Sequence, residues 1–179
     1  MSFEQVFRPI QPKEIFSSID VFAFTEKEFP LITAGTEEHY NSMIGTVSGF
    51  GTLLKRPTTW GMMREDRYTL ELLTQAHTYT LSYFPDEYRE RAFFSASMSG
   101  RDSGKMKELA LTSIVTPSKN IAFTEAMLVL ECTVTQITTV SHDDFCRPAD
   151  RDYLAETYKK EQRFRKMVFG EITHVWVKK

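Results

Sequence analysis

The order of strand-like and helix-like segments is the feature that most restricts the fold of this chain. Segments rich in β-branched and aromatic residues lie towards both ends of the sequence, whereas helical patterns occupy its middle and one charged stretch near the end. Because these strands do not alternate regularly with helices, a doubly wound parallel sheet is not expected. The order instead predicts a mainly β protein with inserted helices, an α+β fold built on a β-barrel.

Alternation of apolar and polar residues places the individual strands. In chain order, the predicted strands cover Phe29–Gly35, Met43–Leu54, Thr58–Arg64, Thr78–Phe84, Ile121–Ser141 and Met167–Lys179, and the turn pair Thr124-Glu125 is a candidate division of the fifth. Helical spacing predicts helices over Asp66–His77, Asp86–Ser97, Gly104–Leu111 and Tyr153–Lys160. Gly45, Gly49 and Gly51 interrupt the second strand, which indicates a bulge or a close approach of another group to the backbone.

Length and composition limit the class of protein. With 179 residues, of which 41% are hydrophobic, the chain is predicted to form a single domain over residues 1–179. The formal net charge of −2 gives no electrostatic case for binding nucleic acid or an anionic membrane, so any anion site must be local. The N-terminal residues lack a secretory pattern and no apolar run has membrane-spanning length, which predicts a cytoplasmic protein.

Several familiar catalytic motifs do not occur in the sequence. There is no GxGxxG motif at a strand–helix junction, no GxxxxGK[ST] loop, no HExxH and no GxSxG. The four histidines show no metal-ligand spacing, and neither of the two cysteines has a neighbour that would activate it as a nucleophile. The sequence therefore predicts neither a metal site nor a catalytic side-chain pair.

Two segments combine positive charge with hydroxyl groups. The first contains Arg64 and, where a predicted helix begins, Arg67, Tyr68 and Thr69. The free N–H groups and positive dipole of a helix N-terminus favour an anion at such a place. The alternative is an ordinary capped helix in which the two arginines pair with neighbouring carboxylates such as Asp66, itself a candidate cap.

The second segment precedes a short predicted helix. It supplies Ser97, Ser99, Gly100, Arg101 and Lys105, a compact set of hydroxyl, guanidinium and ammonium donors on flexible backbone. An oxyanion such as a phosphate would satisfy these donors, whereas the alternative is a solvated connection between two helices.

A third segment has the composition of a strand that faces a ligand. In YNSMIGTVSGFG, small residues alternate with apolar ones over residues 40–51, which leaves room for a flat aromatic ligand beside the backbone. The alternative is a bulged core strand.

Taken together, the three segments offer two anion sites and one site for a planar ring. This combination fits FMN, but it fits other phosphorylated heterocycles, such as pyridoxal phosphate, as well.

Five motifs, taken in order, resemble those of the flavin reductase-like, FMN-binding split-barrel proteins of the flavoredoxin type. The motifs are YNSMIGTVSGFGTL, the RxxRYTLELL of Arg64–Leu73, the YTLSYFPDEYRE of Tyr79–Glu90, the SxSGRDxxK of Ser97–Lys105 and the closing FGEI of Phe169–Ile172. The resemblance covers most of the chain. It implies a split β-barrel, a homodimer, and FMN held near the dimer interface.

The resemblance also implies roles for individual residues. On the ring side of FMN it places Asn41, Ser42, Met43, Thr46 and Ser48, with Val47 where the family has a tryptophan. On the phosphate side it places Arg64, Arg67, Tyr68, Thr69, Ser97, Ser99, Gly100, Arg101 and Lys105. Relatives often carry a histidine shortly before the Gly-Glu pair of the last strand, where this chain has Arg165 or Lys166.

The function implied by the resemblance is hydride transfer from NAD(P)H to flavin. Backbone N–H groups of residues 46–49 would serve the reduced ring, so no catalytic side chain is required. Two alternatives bind a similar cofactor: an FMN-binding electron carrier without its own nicotinamide site, and a pyridoxamine-phosphate-oxidase-like enzyme. A third is a barrel that binds no ligand, in which the arginines only cap helices.

Overall fold

The computed structural model of the chain describes residues 1–15, 20–101 and 104–179. Within these ranges the strands are β1 (Phe7–Ile10), β2 (Leu31–Gly35), β3 (Tyr40–Ile44), β4 (Thr46–Leu53), β5 (Arg56–Arg64), β6 (Thr78–Tyr83), β7 (Ser113–Val115), β8 (Ile121–Phe123), β9 (Leu128–Val140) and β10 (Arg165–Lys178). The α-helices are α1 (Phe3–Val6), α2 (Pro12–Ile15), α3 (Val21–Lys27), α4 (Tyr68–Ala76), α5 (Asp86–Phe94), α6 (Lys105–Glu108) and α7 (Pro148–Glu161).

Eight antiparallel strands form the main sheet. Seven of them follow the order β3-β2-β6-β9-β10-β5-β4, and β1 pairs with the C-terminal part of β10. Strands β7 and β8 form a separate two-stranded sheet. The two outer strands of the path, β3 and β4, follow one another in the chain, and in the described ranges no ladder joins them. The sheet therefore stays open, as in a split barrel, which confirms the predicted fold.

Gly45 separates the two outer strands. The sequence predicts one strand over residues 43–54, whereas the chain ends β3 at Ile44 and begins β4 at Thr46. A Cβ atom on Gly45 would lie 2.1 Å from Cδ1 of Ile32, so a larger residue here would displace this buried side chain. The Gly45 N–H also donates a hydrogen bond to the carbonyl of Pro30 at 3.1 Å. The predicted bulge is confirmed further along, between Val47 and Gly49.

Trp60 covers the two other glycines of this segment. A Cβ atom would lie 2.5 Å from Cζ2 of Trp60 at Gly49, and 3.3 Å from the same indole ring at Gly51. Strand β5 carries Trp60 opposite Gly49 in the ladder. The space that these glycines leave is thus filled by an aromatic ring of the protein itself. This corrects the prediction that they leave room for a ligand ring.

Helix α4 positions the first cationic segment. Its buried residues Leu70, Leu72 and Leu73 belong to the main apolar core, and the helix packs on β2 and β3. The N-cap is Arg67, so the prediction that Asp66 caps the helix is wrong. The carboxylate of Asp66 is instead held by guanidinium groups.

None of the helices in the described part of the chain combines the length and the apolar composition that a membrane span requires.

Candidate functional site

Three neighbouring clefts lie around the start of α4. The first, called the Arg101 cleft, has a volume of about 610 Å³ and is lined by His39, Tyr40, Asn41, Tyr68, Gly100, Arg101, Gly104, Lys105, Met106 and Lys107. The second, called the Arg67 cleft, has a volume of about 470 Å³ and is lined by Phe29, Met43, Ile44, Gly45, Met62, Met63, Arg64, Arg67, Phe93, Ala96, Glu161 and Arg165.

The third cleft links the other two. It has a volume of about 500 Å³ and is lined by Glu65, Arg67, Leu70, Glu71, Thr74, Gln75, Arg101, Ile137 and Lys166. Arg101 lines this linking cleft and the first one, and Arg67 lines this linking cleft and the second. The three clefts therefore share their boundary residues, and each shared residue carries a positive charge.

Arg101 is held over the start of α4 by three contacts. Its Nη2 donates to Oε2 of Glu71 at 2.9 Å, and its Nη1 donates to the backbone carbonyl of Asp66 at 3.2 Å. Its guanidinium carbon lies 5.1 Å from the centroid of the Tyr68 ring. These contacts orient the guanidinium group at the cleft wall, and both ion-pair partners remain half exposed. The positive charge is thereby available to an anion in the Arg101 cleft.

His39 contributes to the same wall, although no motif in the sequence points to it. Its Nε2 is hydrogen-bonded to the hydroxyl of Tyr68, and the two rings meet edge to face with centroids 5.9 Å apart. His39 lies in a polar, turn-like stretch just before β3. The fold brings it into contact with Tyr68 of α4, which lies 29 residues later in the chain. His39 and Arg101 thus both contact Tyr68 and help to fix its ring.

Asn41, Thr69 and Gly100 lock three segments together. Nδ2 of Asn41 donates to Oγ1 of Thr69 at 2.7 Å, and both residues are buried. A Cβ atom on Gly100 would lie 2.4 Å from Nδ2 of Asn41, so the backbone of the second cationic segment passes directly over this amide. Strand β3, helix α4 and the turn before α6 therefore meet at one point.

In the second cationic segment, Arg101 and Lys105 line the Arg101 cleft, whereas Ser97 and Ser99 are not among its lining residues. Lys105, the first residue of α6, is only 4% exposed although it carries an ammonium group, and it lines the Arg101 cleft. Ser99 accepts a hydrogen bond from the backbone N–H of Arg101 at 3.2 Å. Ser97 donates to the backbone carbonyl of Phe94 at 2.7 Å and does not line the Arg101 cleft. The structure thus brings five predicted residues to this cleft: Asn41, Tyr68, Gly100, Arg101 and Lys105.

Arg64 and Arg67 belong to the second cleft, where Arg165 joins them. Arg64 pairs with Asp66 through two hydrogen bonds of 3.1 Å, so part of the alternative in which the arginines pair with neighbours is correct. Arg165 pairs with Glu161 at 2.6 Å, which raises the pKa of Arg165 and lowers that of Glu161. The predicted phosphate-side residues are therefore divided between two clefts.

The predicted ring-side residues are divided as well. Met43 lines the Arg67 cleft, whereas Ser42 is buried and shares a hydrogen bond of 2.7 Å with Thr33. Val47 packs into the apolar core and Ser48 is exposed. The backbone of Thr46 pairs with Met62, and its side chain lies outside the part that the structure describes.

Other chemistries find little support in the described residues. No three His, Cys, Asp or Glu side chains among them are grouped to hold a metal ion. Cys132 is buried and Cys146 is exposed, and both are free thiols. Burial raises the pKa of the Cys132 thiol well above its ordinary value, so this group stays protonated and is a poor nucleophile.

The open antiparallel sheet, whose end strands β3 and β4 share no ladder in the described part of the chain, places the protein in the class of split-barrel folds. Within that class the chain belongs to the family of the flavin reductase like domain, whose model matches residues 27–179. The resemblance seen in the sequence motifs is thereby confirmed. No curated protein matches the chain in sequence.

Solved structures of similar fold include proteins described as FMN-binding. An FMN-binding protein from Thermus thermophilus, solved with 1-cyclohex-2-enone, is 15% identical with a TM-score of 0.64, over 84% of this chain and 70% of that chain. The flavoredoxin of Desulfovibrio vulgaris (Miyazaki F) is 17% identical with a TM-score of 0.62, over 90% of this chain and 74% of that chain. The styrene monooxygenase flavin reductase of Pseudomonas putida S12 is 15% identical with a TM-score of 0.54, over 84% and 79%. At these identities the likeness establishes the fold.

Proposed function

We propose that this chain binds FMN and acts as an oxidoreductase that transfers a hydride from NAD(P)H to flavin. The observation that carries the proposal is the Arg101 cleft, whose wall carries three cationic residues, Arg101, Lys105 and Lys107, together with Asn41 and Tyr68. These are the donors that a phosphate group requires. The family match and the FMN-binding descriptions of several structural relatives support the same cofactor.

The donor set and the backbone fit a phosphate monoester at this place. Three cationic side chains on the wall balance a dianion, and the half-exposed Glu71 is the carboxylate that Arg101 already contacts. Gly100 brings the backbone of the second cationic segment against the Asn41 amide, which fixes the position of the neighbouring Arg101 on the cleft wall. Lys105 adds a third positive charge to this wall, although its side chain is largely buried.

Strand β3 leads from the Arg101 cleft to the Arg67 cleft. Tyr40 and Asn41 line the first cleft, and Met43, Ile44 and Gly45 line the second. The apolar side chains of this second group, with Met62 of β5, would contact the flavin ring. FMN, when bound, supplies the hydride chemistry. The chain's own residues hold the phosphate, orient the ring and exclude water from one face.

An electron carrier that binds FMN without a nicotinamide site would use the same residues. The presence of a flavoredoxin among the structural relatives is the reason to test this second candidate. A pyridoxamine-phosphate-oxidase-like activity needs the same phosphate donors with a smaller ring. Turnover of a reduced nicotinamide separates the first proposal from both of these.

Anaerobic reduction of the FMN-loaded protein tests the proposal. Purified protein is loaded with FMN, the excess is removed, and one equivalent of NADH or NADPH is added without oxygen. We expect the visible absorbance of the bound flavin to bleach rapidly with one of the two nucleotides. Loading without bleaching by either nucleotide would favour the carrier, and turnover of pyridoxamine 5′-phosphate would favour the oxidase.

We further propose that the protein is a cytoplasmic homodimer. Met62 and Phe93 line the Arg67 cleft and are 41% and 44% exposed, which is high for apolar side chains at a ligand site. A second copy of the chain would cover them and complete the cleft around the ring. Light scattering of the FMN-loaded protein gives its mass directly.

A further inference from the structure

Another cavity lies beside the C-terminal half of α7 and shares none of its described lining residues with the three clefts around α4. This α7 cavity has a volume of about 330 Å³ and is lined by His142, Ala155, Tyr158, Lys159, Gln162, Arg163 and Phe164. The volume is at the lower end of the range for small-molecule sites, so the cavity suits one small ligand group rather than a whole dinucleotide.

The lining of the α7 cavity carries two cations with free donor atoms. Nε of Arg163 donates to Asp66 at 3.2 Å and Nη1 donates to the backbone carbonyl of Gln162 at 2.6 Å, which leaves Nη2 without a partner among the described residues. The ammonium group of Lys159 forms no hydrogen bond or ion pair with any residue that the structure describes. None of the described lining residues is acidic.

The carboxylates next to this lining are engaged elsewhere or lie in water. Asp66 also accepts two hydrogen bonds of 3.1 Å from Arg64, so two guanidinium groups share its charge. Glu65 accepts a hydrogen bond from the backbone N–H of Phe164 at 3.0 Å. Asp143 contacts the lining histidine at 3.0 Å and is 81% exposed, so water and salt screen its charge. An anion that enters the cavity therefore meets the two cations directly.

Aromatic rings supply the remaining part of the lining. Phe164 is 49% exposed and meets Tyr158 edge to face, with ring centroids 5.2 Å apart. The hydroxyl of Tyr158 donates to the backbone carbonyl of Val140 at 2.7 Å, which holds the tyrosine in place. Nucleic-acid bases stack on exposed aromatic rings, and an arginine beside the ribose accommodates the 2′-phosphate of NADP. The α7 cavity offers both groups.

The α7 cavity and the Arg67 cleft lie against the same backbone segment. Gln162–Phe164 line the cavity, whereas Glu161 and Arg165 line the Arg67 cleft. Because consecutive Cα atoms lie about 3.8 Å apart, roughly one residue of backbone separates the two sites. The cavity is therefore within reach of the second nucleotide of a dinucleotide whose nicotinamide faces the flavin ring in the Arg67 cleft.

We propose that the α7 cavity binds the adenosine 2′-phosphate of NADPH, with Lys159 and Arg163 on the phosphate and Phe164 on the adenine. NADH has a hydroxyl group in place of this phosphate, so the chain prefers NADPH. The inference rests on the proposed function and identifies which nicotinamide donates the hydride.

Steady-state oxidation of NADPH and of NADH by the FMN-loaded protein, with oxygen as the acceptor, tests the inference. We expect kcat/KM to be at least about tenfold higher for NADPH, because its extra phosphate forms charge-assisted hydrogen bonds. Equal values for the two nucleotides, or a preference for NADH, would overturn the inference.

Variants of the lining locate the preference. Lys159→Gln and Arg163→Gln should each lower the ratio of kcat/KM for NADPH to that for NADH by at least about fivefold. Lys160→Gln removes an equal charge from an exposed position of the same helix that does not line the cavity, and should keep the ratio within about twofold. An unchanged ratio in both lining variants, or an equal loss in Lys160→Gln, would contradict the assignment.

Calorimetry distinguishes a failure of this inference from a failure of the proposed function. Adenosine 2′,5′-bisphosphate and adenosine 5′-monophosphate, which differ in the 2′-phosphate, are titrated into the protein without a nicotinamide. We expect the bisphosphate to bind at least about tenfold more tightly, and Lys159→Gln to reduce this difference. Such binding in a protein that oxidises neither nucleotide would refute the proposed function and support the cavity assignment. Turnover of NADPH with equal affinities for the two probes would overturn the assignment alone.

Discussion

Replacing Arg101 with alanine is expected to weaken FMN binding by about 10- to 100-fold, because one charge-assisted hydrogen bond to a phosphate contributes about 1.5–3 kcal/mol. The free energy of unfolding should change by less than about 1 kcal/mol. The ion pair of Arg101 with Glu71 is half exposed on both sides, at 55% and 50%, so water replaces it at little cost. Fluorescence titration of FMN and urea unfolding measure the two quantities on the same sample.

Arg56 offers a matched control for this experiment. It forms a surface ion pair of 3.0 Å with Glu171 on another part of the sheet and lines none of the three clefts. Arg56→Ala should therefore keep the FMN affinity of the parent protein within about twofold. Equal losses of affinity in Arg56→Ala and Arg101→Ala would show a general effect of charge. Unchanged affinity in Arg101→Ala would remove Arg101 from the site.

The largest effect on stability is expected at Glu131, a fully buried carboxylate in β9. Its Oε1 accepts from Nε1 of Trp176 at 2.7 Å, and its Oε2 accepts from the hydroxyl of Thr116 at 2.8 Å and from Nδ2 of Asn120 at 2.7 Å. These bonds join β9 to β10 and to the loop between β7 and β8. Glu131→Ala would leave three buried donors without an acceptor and is expected to lower the free energy of unfolding by about 3–5 kcal/mol.

Urea unfolding followed by circular dichroism and tryptophan fluorescence measures this loss. Glu131→Gln keeps the size of the side chain but turns an N–H₂ group towards a donor, so an intermediate loss is expected. Should Glu131→Ala fail to fold, the glutamine variant still gives a value. Glu38→Ala, in the exposed turn before β3, serves as the control. A loss in both Glu131 variants no larger than that of Glu38→Ala would contradict this role.

Most of the fold could be predicted because its strands alternate strongly and its helices have regular spacing. Strands β5, β6 and β10 lie within a few residues of their predicted bounds. The prediction did not extend β3 to Tyr40, because Asn41 and Ser42 are polar residues in a turn-like stretch. They are nevertheless buried, since Thr69 and Thr33 satisfy them from distant parts of the chain. Such long-range partners leave no trace in local composition.

The candidate site could be predicted only as a set of segments. Charge and hydroxyl content predict residues 64–69 and 97–105 as two cationic segments, but the division of their side chains between two clefts depends on how β3 passes between α4 and the turn before α6. His39 was missed because one histidine in a polar loop has no distinguishing pattern. The sequence also does not indicate that Trp60 covers the glycines of β4, because its position opposite Gly49 depends on the register of two strands.

Comparing FMN with riboflavin tests the central claim most directly, because the two differ only in the phosphate. Both are titrated into the unmodified protein at low ionic strength, and the dissociation constants are obtained from flavin fluorescence. Three cationic side chains in the Arg101 cleft predict that FMN binds at least about 100-fold more tightly than riboflavin. Equal affinities would show that the Arg101 cleft does not hold the phosphate and would contradict the account.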